Sequence, residues 1–496
     1  MAEGLLLAID QGTTGTTALV MDTAGKTLAR ATREFPQYFP KPGWVEHEPG
    51  EIWASVGDSV REALAKGAIE PGKIAAIGIT NQRETAVLWD KATGAPAHRA
   101  IVWQDRRTTD RCAELKAQGH EALVRTRTGL VLDPYFSGTK IAWMLDEAGL
   151  RARAERGELA FGTIDAFLVH RLTGGREHVT DVSNASRTLL MGLASLDWDD
   201  EMLALFRVPR AMLPRIVGSA ELVGRTSGLS FLPDGIPLAG IAGDQQAALF
   251  GQACFAVGDA KCTYGTGAFA LTNIGSKPVE STKGLLTTVA WRAGGQVAYA
   301  LEGSAFIAGA AVQWLRDGLG VIQSASEIEA LARTVTSTDG VVFVPAMAGL
   351  GAPHWDPQAR GMISGITRGT TKAHLARAVL EGVAFEVADL LGAMSADLGR
   401  PLGRMRVDGG AAANDLLMQF QADVTGTTIE RPSELESTAR GAAMLAGVGV
   451  GLFARLEDAS RMARAETSFS PSLGEQDREA HLQRWRLAVR RATLHA

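Results

Sequence analysis

LLLAIDQGTTGTTALVM, residues 5–21, is the stretch that decides the fold. An apolar run, Leu5–Ile9, meets Asp10; a Gly-Thr turn follows; Ala18–Met21 then leads through DTAGK to Thr27–Ala31. Short apolar runs broken by turn residues predict a β-meander. A second Gly-Thr turn between β-rich runs, KCTYGTGAFALTNI at 261–274, resembles this opening and is again followed by strands and helices. The chain thus reads as restarting near residue 260. Two related halves fit its 496 residues better than the roughly three domains that length alone suggests. The expected boundary is Phe255–Asp259, dividing the chain into residues 1–254 and 255–496. Strands also mix with helices, as at Ile74–Thr80 and at Ile236–Ile241 with a helix from about Gln245, so the class is α/β. An amphipathic packing helix is expected over Glu475–Arg491, with acidic residues early and arginines late, as the helix dipole favours.

Composition narrows the function. Lys and Arg number 50 against 55 Asp and Glu, a net charge of −5, which gives no basic field for a nucleic acid backbone. The longest apolar run, between Arg440 and Arg455, has 14 residues and four glycines, short of the about 20 a membrane span needs. With no leader-like N-terminus and three cysteines, Cys112, Cys254 and Cys262, in no metal spacing, the expected location is the cytoplasm. Glycine is in excess, 56 residues or about 11% against a usual level of about 7%.

Several segments could carry chemistry. In Asp10-Gln11-Gly12-Thr13-Thr14-Gly15, the backbone N–H groups and Thr hydroxyls could cradle a phosphate; taken alone the loop reads first as a plain hairpin turn, and Asp10 at the strand end, placed to hold Mg²⁺, tilts the balance. Gly25-Lys26-Thr27 ends like a Walker A loop, but Val20 stands where that motif needs Gly, so it reads as a hairpin turn. Arg83 and Glu84 close a polar run at the end of an apolar strand, where one can donate to a hydroxyl and the other accept from its neighbour; an exposed ion pair is the alternative. Trp103 and Tyr135 could wall a small polyol or belong to the core. Asp244, between a strand ending in Gly243 and a helix beginning QQAALFGQ, is either a general base or an ordinary N-cap. Gly265-Thr266-Gly267, with Phe269 beside it, could meet phosphates from the other side. Gly309 is expected to interrupt a helical pattern over Glu302–Asp317, hinting at close approach of backbone or ligand. Asp408-Gly409-Gly410 precedes a helix and could let a base or ribose lie flat, or be a tight turn.

DQGTT, ITNQRET, VWQ-RRT, DPYFSGTK, NASRT, GDQQAALFGQ, TYGTGAF, GLGAP-WDP-ARG and RVDGGA-AN occur in this order from residue 10 to residue 414, and together they resemble the FGGY carbohydrate kinases, in particular those acting on glycerol. The resemblance implies two actin-like (ribonuclease H-like) domains with a cleft between them, and phosphorylation of glycerol by ATP to sn-glycerol 3-phosphate and ADP, the entry step of glycerol catabolism. It implies that Arg83, Glu84, Tyr135, Asp244 and Gln245 hold the hydroxyls, that Trp103 and Phe269 are apolar walls, and that Asp244 is the general base. Thr13, Thr14, Gly15, Thr266, Gly309, Gln313, Gly410 and Asn414 would contact ATP or ADP, with Asp10 near Mg²⁺. The expected assembly is a homo-oligomer, a dimer or tetramer. Thr17 stands where an Arg is usual, His354 where Tyr is usual and Arg440 where an apolar residue is usual. The loop Phe231–Gly235 carries no Arg or Lys, so regulation by a sugar bisphosphate bound there is not expected.

Overall fold

A computed structural model describes residues 4–434 and 436–494. The opening meander is present as β1 (Leu5–Gln11), β2 (Gly15–Met21) and β3 (Thr27–Glu34), antiparallel in sequence. Gly25-Lys26-Thr27 lies at the turn from β2 into β3, with Gly25 at φ +86°. Two further strands, β4 (Ile74–Asn81) and β5 (Pro237–Gly243), join in parallel, giving the order β5-β4-β1-β2-β3 with a two-residue edge strand beyond β5. The second half repeats this pattern. β6 (Asp259–Tyr264) and β7 (Ala268–Gly275) form the second Gly-Thr hairpin. After β8 (Leu286–Ala293) comes β9 (Gln296–Ala305), which pairs with β7, while β10 (Arg404–Asp408) and β11 (Ile429–Pro432) extend the sheet in parallel from β6. With β12 (Ala465–Phe469) the order is β8-β9-β7-β6-β10-β11-β12. An antiparallel hairpin continued by parallel strands on its first member is thus built twice.

The unbroken run Leu6–Ile9 is fully buried because the first sheet is covered on both faces. Leu7 and Ile9 pack with Ile52, Val56 and Val60 of α1 (Pro49–Lys66). Leu6 and Ala8 point the other way, toward Ala442 and Ala443 of a helix from the far end of the chain. Three more helices matter for the site: α2 (Asp244–Gly251), α3 (Gly309–Gln313) and α4 (Lys372–Leu398). Beyond them lie α5 (Asp415–Thr425), α6 (Ser437–Gly449) and α7 (Glu475–Ala492). The last matches the expected amphipathic helix, burying Trp485, which stacks on Phe385 of α4 at 5.3 Å.

The Gly/Ala-rich run after Arg440 is most of α6, and it lies on the first half's sheet although it belongs to the second half. A Cβ on Gly441 would meet Ala247 O of α2 at 1.9 Å, and one on Gly251 would meet Ser437 O at 2.0 Å, so the two helices cross backbone on backbone. Phe250, Phe255 and Trp291 close the seam between the halves, with Phe250 and Trp291 edge to face at 5.3 Å. Among the described residues no helix is long and apolar enough to cross a membrane. The expectation for Gly309 is corrected: Glu302–Ala305 ends a strand, and Gly309 opens α3 rather than interrupting a helix. Its N–H donates to Gly265 O at 2.9 Å and a Cβ there would meet that oxygen at 2.6 Å, so the helix start is stitched onto the second Gly-Thr turn.

Gly441→Val should lower the thermal unfolding midpoint, by the equivalent of about 1–3 kcal/mol, because neither carbonyl nor helix can yield enough room. A midpoint equal to the parent's, measured by calorimetry, would contradict this packing.

Candidate active site

Parallel strands bring their carboxyl ends to one edge, and the first sheet's edge carries the acids and the arginine that the sequence singled out. Asp10 of β1 is level with Thr80 of β4, which is level with Ala242 of β5. Two residues on, Asp244 is the first residue of α2, and Gly243 holds the N-cap position instead. A Cβ on Gly243 would meet Arg83 Cγ at 2.6 Å, so the strand end makes room for that arginine.

Arg83 is buried at the centre of a polar cluster. Its Nη1 and Nη2 donate to Glu302 at 2.6 and 2.9 Å, Nη1 also to Gln246 Oε1 at 3.1 Å, and Nη2 to the Tyr135 hydroxyl at 3.2 Å. Its Nε lies 3.3 Å from Asp244 Oδ1 and 3.6 Å from Glu84 Oε1. Glu84 itself sits at φ +60°, a left-handed conformation costly for a side chain with a Cβ, and accepts from Arg187 Nε at 2.7 Å. Among the described residues, Glu84 Oε2 and Arg187 Nη1 are buried without a hydrogen-bond partner. A buried donor and a buried acceptor without partners, on side chains joined by the Arg187–Glu84 pair, suit a hydroxylated ligand. Trp103 and Tyr135 meet edge to face at 5.6 Å, and Trp103 Nε1 donates to Thr13 Oγ1 at 3.0 Å, which ties the aromatic wall to the first hairpin turn. Lys140 fixes the Tyr135 turn from below: its buried ammonium donates to the carbonyls of Pro134, Tyr135 and Phe136 at 2.5, 2.5 and 3.0 Å. Burial pulls that lysine down to about 8.

Burial raises the Asp244 carboxyl above its ordinary value, with Arg83 pulling the other way; about 32% of its side chain reaches solvent. Gln245 beside it accepts from Lys261 Nζ, a buried cation that also donates to Thr263 Oγ1 at 3.0 Å. Asp10 is pushed up to about 7, first by burial and then by the charges of Asp244 and Glu436. The Asp244 charge thus acts on Asp10, which sets the two carboxylates near each other at this strand edge.

The remaining expected residues lie on the second half. Thr266 is exposed in the β6–β7 turn, where its carbonyl accepts from Ala308 and Ala310 N–H at the start of α3. Gln313 is exposed at the end of α3, and Phe269 is half-buried on β7, level with Thr263 and Ser304. Gly410 follows the end of β10, and Asn414 caps α5 through Oδ1, which accepts from Leu417 N–H at 2.9 Å. Thr13, Thr14 and Gly15 occupy the corresponding hairpin of the first half. The structure therefore gathers Arg83, Glu84, Trp103, Tyr135, Asp244 and Gln245 into one cluster and sets the two Gly-Thr turns on separate sheets. Sequence reasoning missed Glu302, Arg187 and Lys261. Arg187 stands in NASRT and Lys261 in the hairpin quoted above, but a single charge in such a run gives no sign of where it points. At the three departures, Thr17 bonds to Thr32 at 2.9 Å, His354 to Asp389 at 2.8 Å, and Arg440 is buried, donating to Gly251 O and Glu434 O at 2.9 and 3.0 Å.

Folding raises the Asp10 carboxyl from 3.8 to about 7, so between those values the folded protein keeps a proton that the unfolded chain has lost. The cost of ionising it in place builds through that window and is complete above it. In the absence of nucleotide and divalent cation, Asp10→Asn should therefore raise the thermal midpoint at about pH 8, with the gain shrinking toward about pH 5. A variant no more stable than the parent at the higher pH would contradict the burial argument.

The N-terminal domain model of the FGGY family of carbohydrate kinases matches residues 5–251, and the C-terminal domain model matches 260–450. A glycerol kinase of Myxococcus xanthus is 59% identical over 490 residues, 98% of this chain and 99% of that protein. One of Alkalilimnicola ehrlichii is 58% identical over 488 residues, 98% of each. The crystal structure of Plasmodium falciparum glycerol kinase with ADP superposes with a TM-score of 0.94 at 36% identity, covering 100% of this chain and 99% of that one. With both domain models matched and relatives at this identity over nearly its whole length, the chain belongs to the FGGY family of carbohydrate kinases.

Proposed function

We propose that this kinase transfers the γ-phosphoryl group of ATP to a terminal hydroxyl of glycerol, giving sn-glycerol 3-phosphate and ADP. The observation that carries the reading is Asp244 at the tip of β5, its carboxylate raised by burial and set 3.3 Å from the Arg83 guanidinium inside the polar cluster. Arg83 and Glu84 grip neighbouring hydroxyls, using the open valences around Glu84 Oε2 and Arg187 Nη1. Trp103 and Tyr135 cover the carbon chain, with Phe269 as the opposite wall, while Gln245 orients Asp244's side of the acceptor. Asp244 accepts the proton from the attacking oxygen, which makes that oxygen nucleophilic only where the phosphoryl group is presented.

The hairpin turns supply N–H and hydroxyl donors to the phosphates from Thr13, Thr14 and Gly15 on one side and Thr266 on the other. Gly309, Gln313, Gly410 and Asn414 line the nucleotide's place on the second half; Gly410 leaves flat backbone, and Asn414 keeps its amide N–H₂ free because Oδ1 is used in capping. Asp10, with Asp244 alongside, would hold Mg²⁺, which when bound offsets phosphate charge. A division at residues 1–254 and 255–496 assigns acceptor and nucleotide to different domains, with α6 reaching back across the boundary. Cytoplasmic operation, supported by three buried free thiols, and a homo-oligomeric state complete the proposal.

Asp244→Asn should cost roughly 10²–10⁴ in kcat while leaving ADP binding intact. Near-parental turnover of the folded variant would remove Asp244 from the base role. A polyol panel scored by acceptor-dependent ADP release tests the substrate: another polyol outperforming glycerol changes the acceptor, and ADP release without any acceptor favours a nucleotide-driven switch.

A further inference from the structure

The acid that holds the acceptor arginines comes from the other half of the chain. Glu302 lies on β9, level with Leu271 and Leu286 inside the second sheet. Its carboxylate nevertheless accepts from both Arg83 terminal nitrogens and from Arg187 Nη2 at 2.9 Å, and both arginines belong to the first half. Burial works to raise this carboxyl, but the two guanidiniums outweigh it and hold it down at about 2, so it stays ionised. Arg83 has other anions in reach: Asp244 at 3.3 Å and Glu84 at 3.6 Å from its Nε. A buried guanidinium deprived of its bidentate partner turns to the nearest remaining carboxylate, since an unpaired charge there is costly. Those carboxylates are the ones an acceptor needs free.

We propose that Glu302 is a positioning residue which, from the nucleotide-bearing half, holds Arg83 and Arg187 in place and keeps Asp244 and Glu84 available to the acceptor. The inference rests on the proposed polyol transfer and adds that the acceptor pocket is complete only while the two halves stand as they do here.

The test is Glu302→Gln, which keeps the shape and removes the charge. Its KM for glycerol should rise at least roughly tenfold and its kcat fall, while ADP affinity, measured by calorimetry on the same preparation, stays within about twofold of the parent. Glu302→Asp, which keeps the charge, should recover part of the lost KM. The parent is assayed first on the polyol panel; if a different polyol is preferred, the comparison uses that acceptor, and a parent with no acceptor dependence overturns both the transfer and this inference. With an active parent, a Gln variant with unchanged glycerol KM and kcat, one that loses ADP affinity in step with glycerol, or an Asp variant no better than Gln overturns the role of Glu302 and leaves the transfer standing. Should the Gln variant not fold, the Asp variant decides: a raised glycerol KM with ADP affinity held supports the role, and a parental KM overturns it.

Discussion

Ala247 O lies 1.9 Å from where a Cβ on Gly441 would stand, and the rest of the structure depends on that side chain being absent. Because α2 and α6 can touch backbone to backbone, α6 drops low enough to set Ala442 O against Gly78 of β4, where a Cβ would meet it at 2.0 Å, and Ala446 N against Gly240 of β5 at 2.4 Å. A helix encoded after residue 436 is thereby fastened to strands encoded before residue 244. Their relative position then fixes where α2 begins, and Asp244 is its first residue. Close packing transmits such a constraint because interiors are dense and side chains have no free volume in which to relax. Some of the 56 glycines among 496 residues, Gly78, Gly240, Gly251 and Gly441, serve this contact rather than turns.

Electrostatics at the site bear little relation to the net charge of −5. Arg83, Arg187 and Lys261 are all buried, yet none presents a free cation to solvent: the arginines are held by Glu302 and Glu84, and Lys261 by Gln245 and Thr263. These charges order one another and the polar groups around the acceptor. In the proposed reading, donors for a polyphosphate come instead from hairpin N–H groups and Thr hydroxyls, which carry no formal charge and add nothing to a charge count. An acidic chain can build such a site because its cations are used at short range, inside, where screening by salt is weak.

Both hairpins, the strands at Ile74–Thr80 and Ile236–Ile241, though not their parallel pairing, and the terminal helix were legible in the sequence because each rests on local chemistry, turn residues between apolar runs or charge graded along a helix. Arg83, Glu84 and Asp244 were legible as candidates because they close apolar strands, and strand ends are where ligands sit. What decides between candidate and alternative is long-range: the segment leaves Asp244 open to both the base and the N-cap role, but Gly243 takes the cap position and the Asp244 carboxylate lies 3.3 Å from Arg83 Nε. The helical pattern expected over Glu302–Asp317 breaks because the change from strand to helix occurs at Ala308, whose φ of −127° and ψ of −89° fit neither. The destination of α6 could not be read at all, since its apolar run is as suitable for one sheet as for the other.

Duplication of the fold did not duplicate the chemistry, and register shows where the halves part. In the first sheet the carboxylate stands on the first strand, Asp10 of β1, opposite Thr80 of β4. In the second the pair is exchanged: Thr263 of β6 stands opposite Asp408 of β10. Asp408 is engaged internally, accepting through Oδ2 from Gln252 at 3.2 Å and from Ser437 at the foot of α6. Moving the acid by one strand converts it from a group facing the open edge into one that anchors the seam between the halves. With its acid turned inward, the second edge is left with Thr263, Thr266 and backbone N–H groups, which suit phosphates and cannot take a proton from an alcohol. In the proposed reading the first edge, with the Asp244 carboxylate partly open to solvent, can. On that reading, two copies of one strand order thus differ in that only the first carries the carboxylate that activates the acceptor, while both offer a hairpin turn to the phosphates.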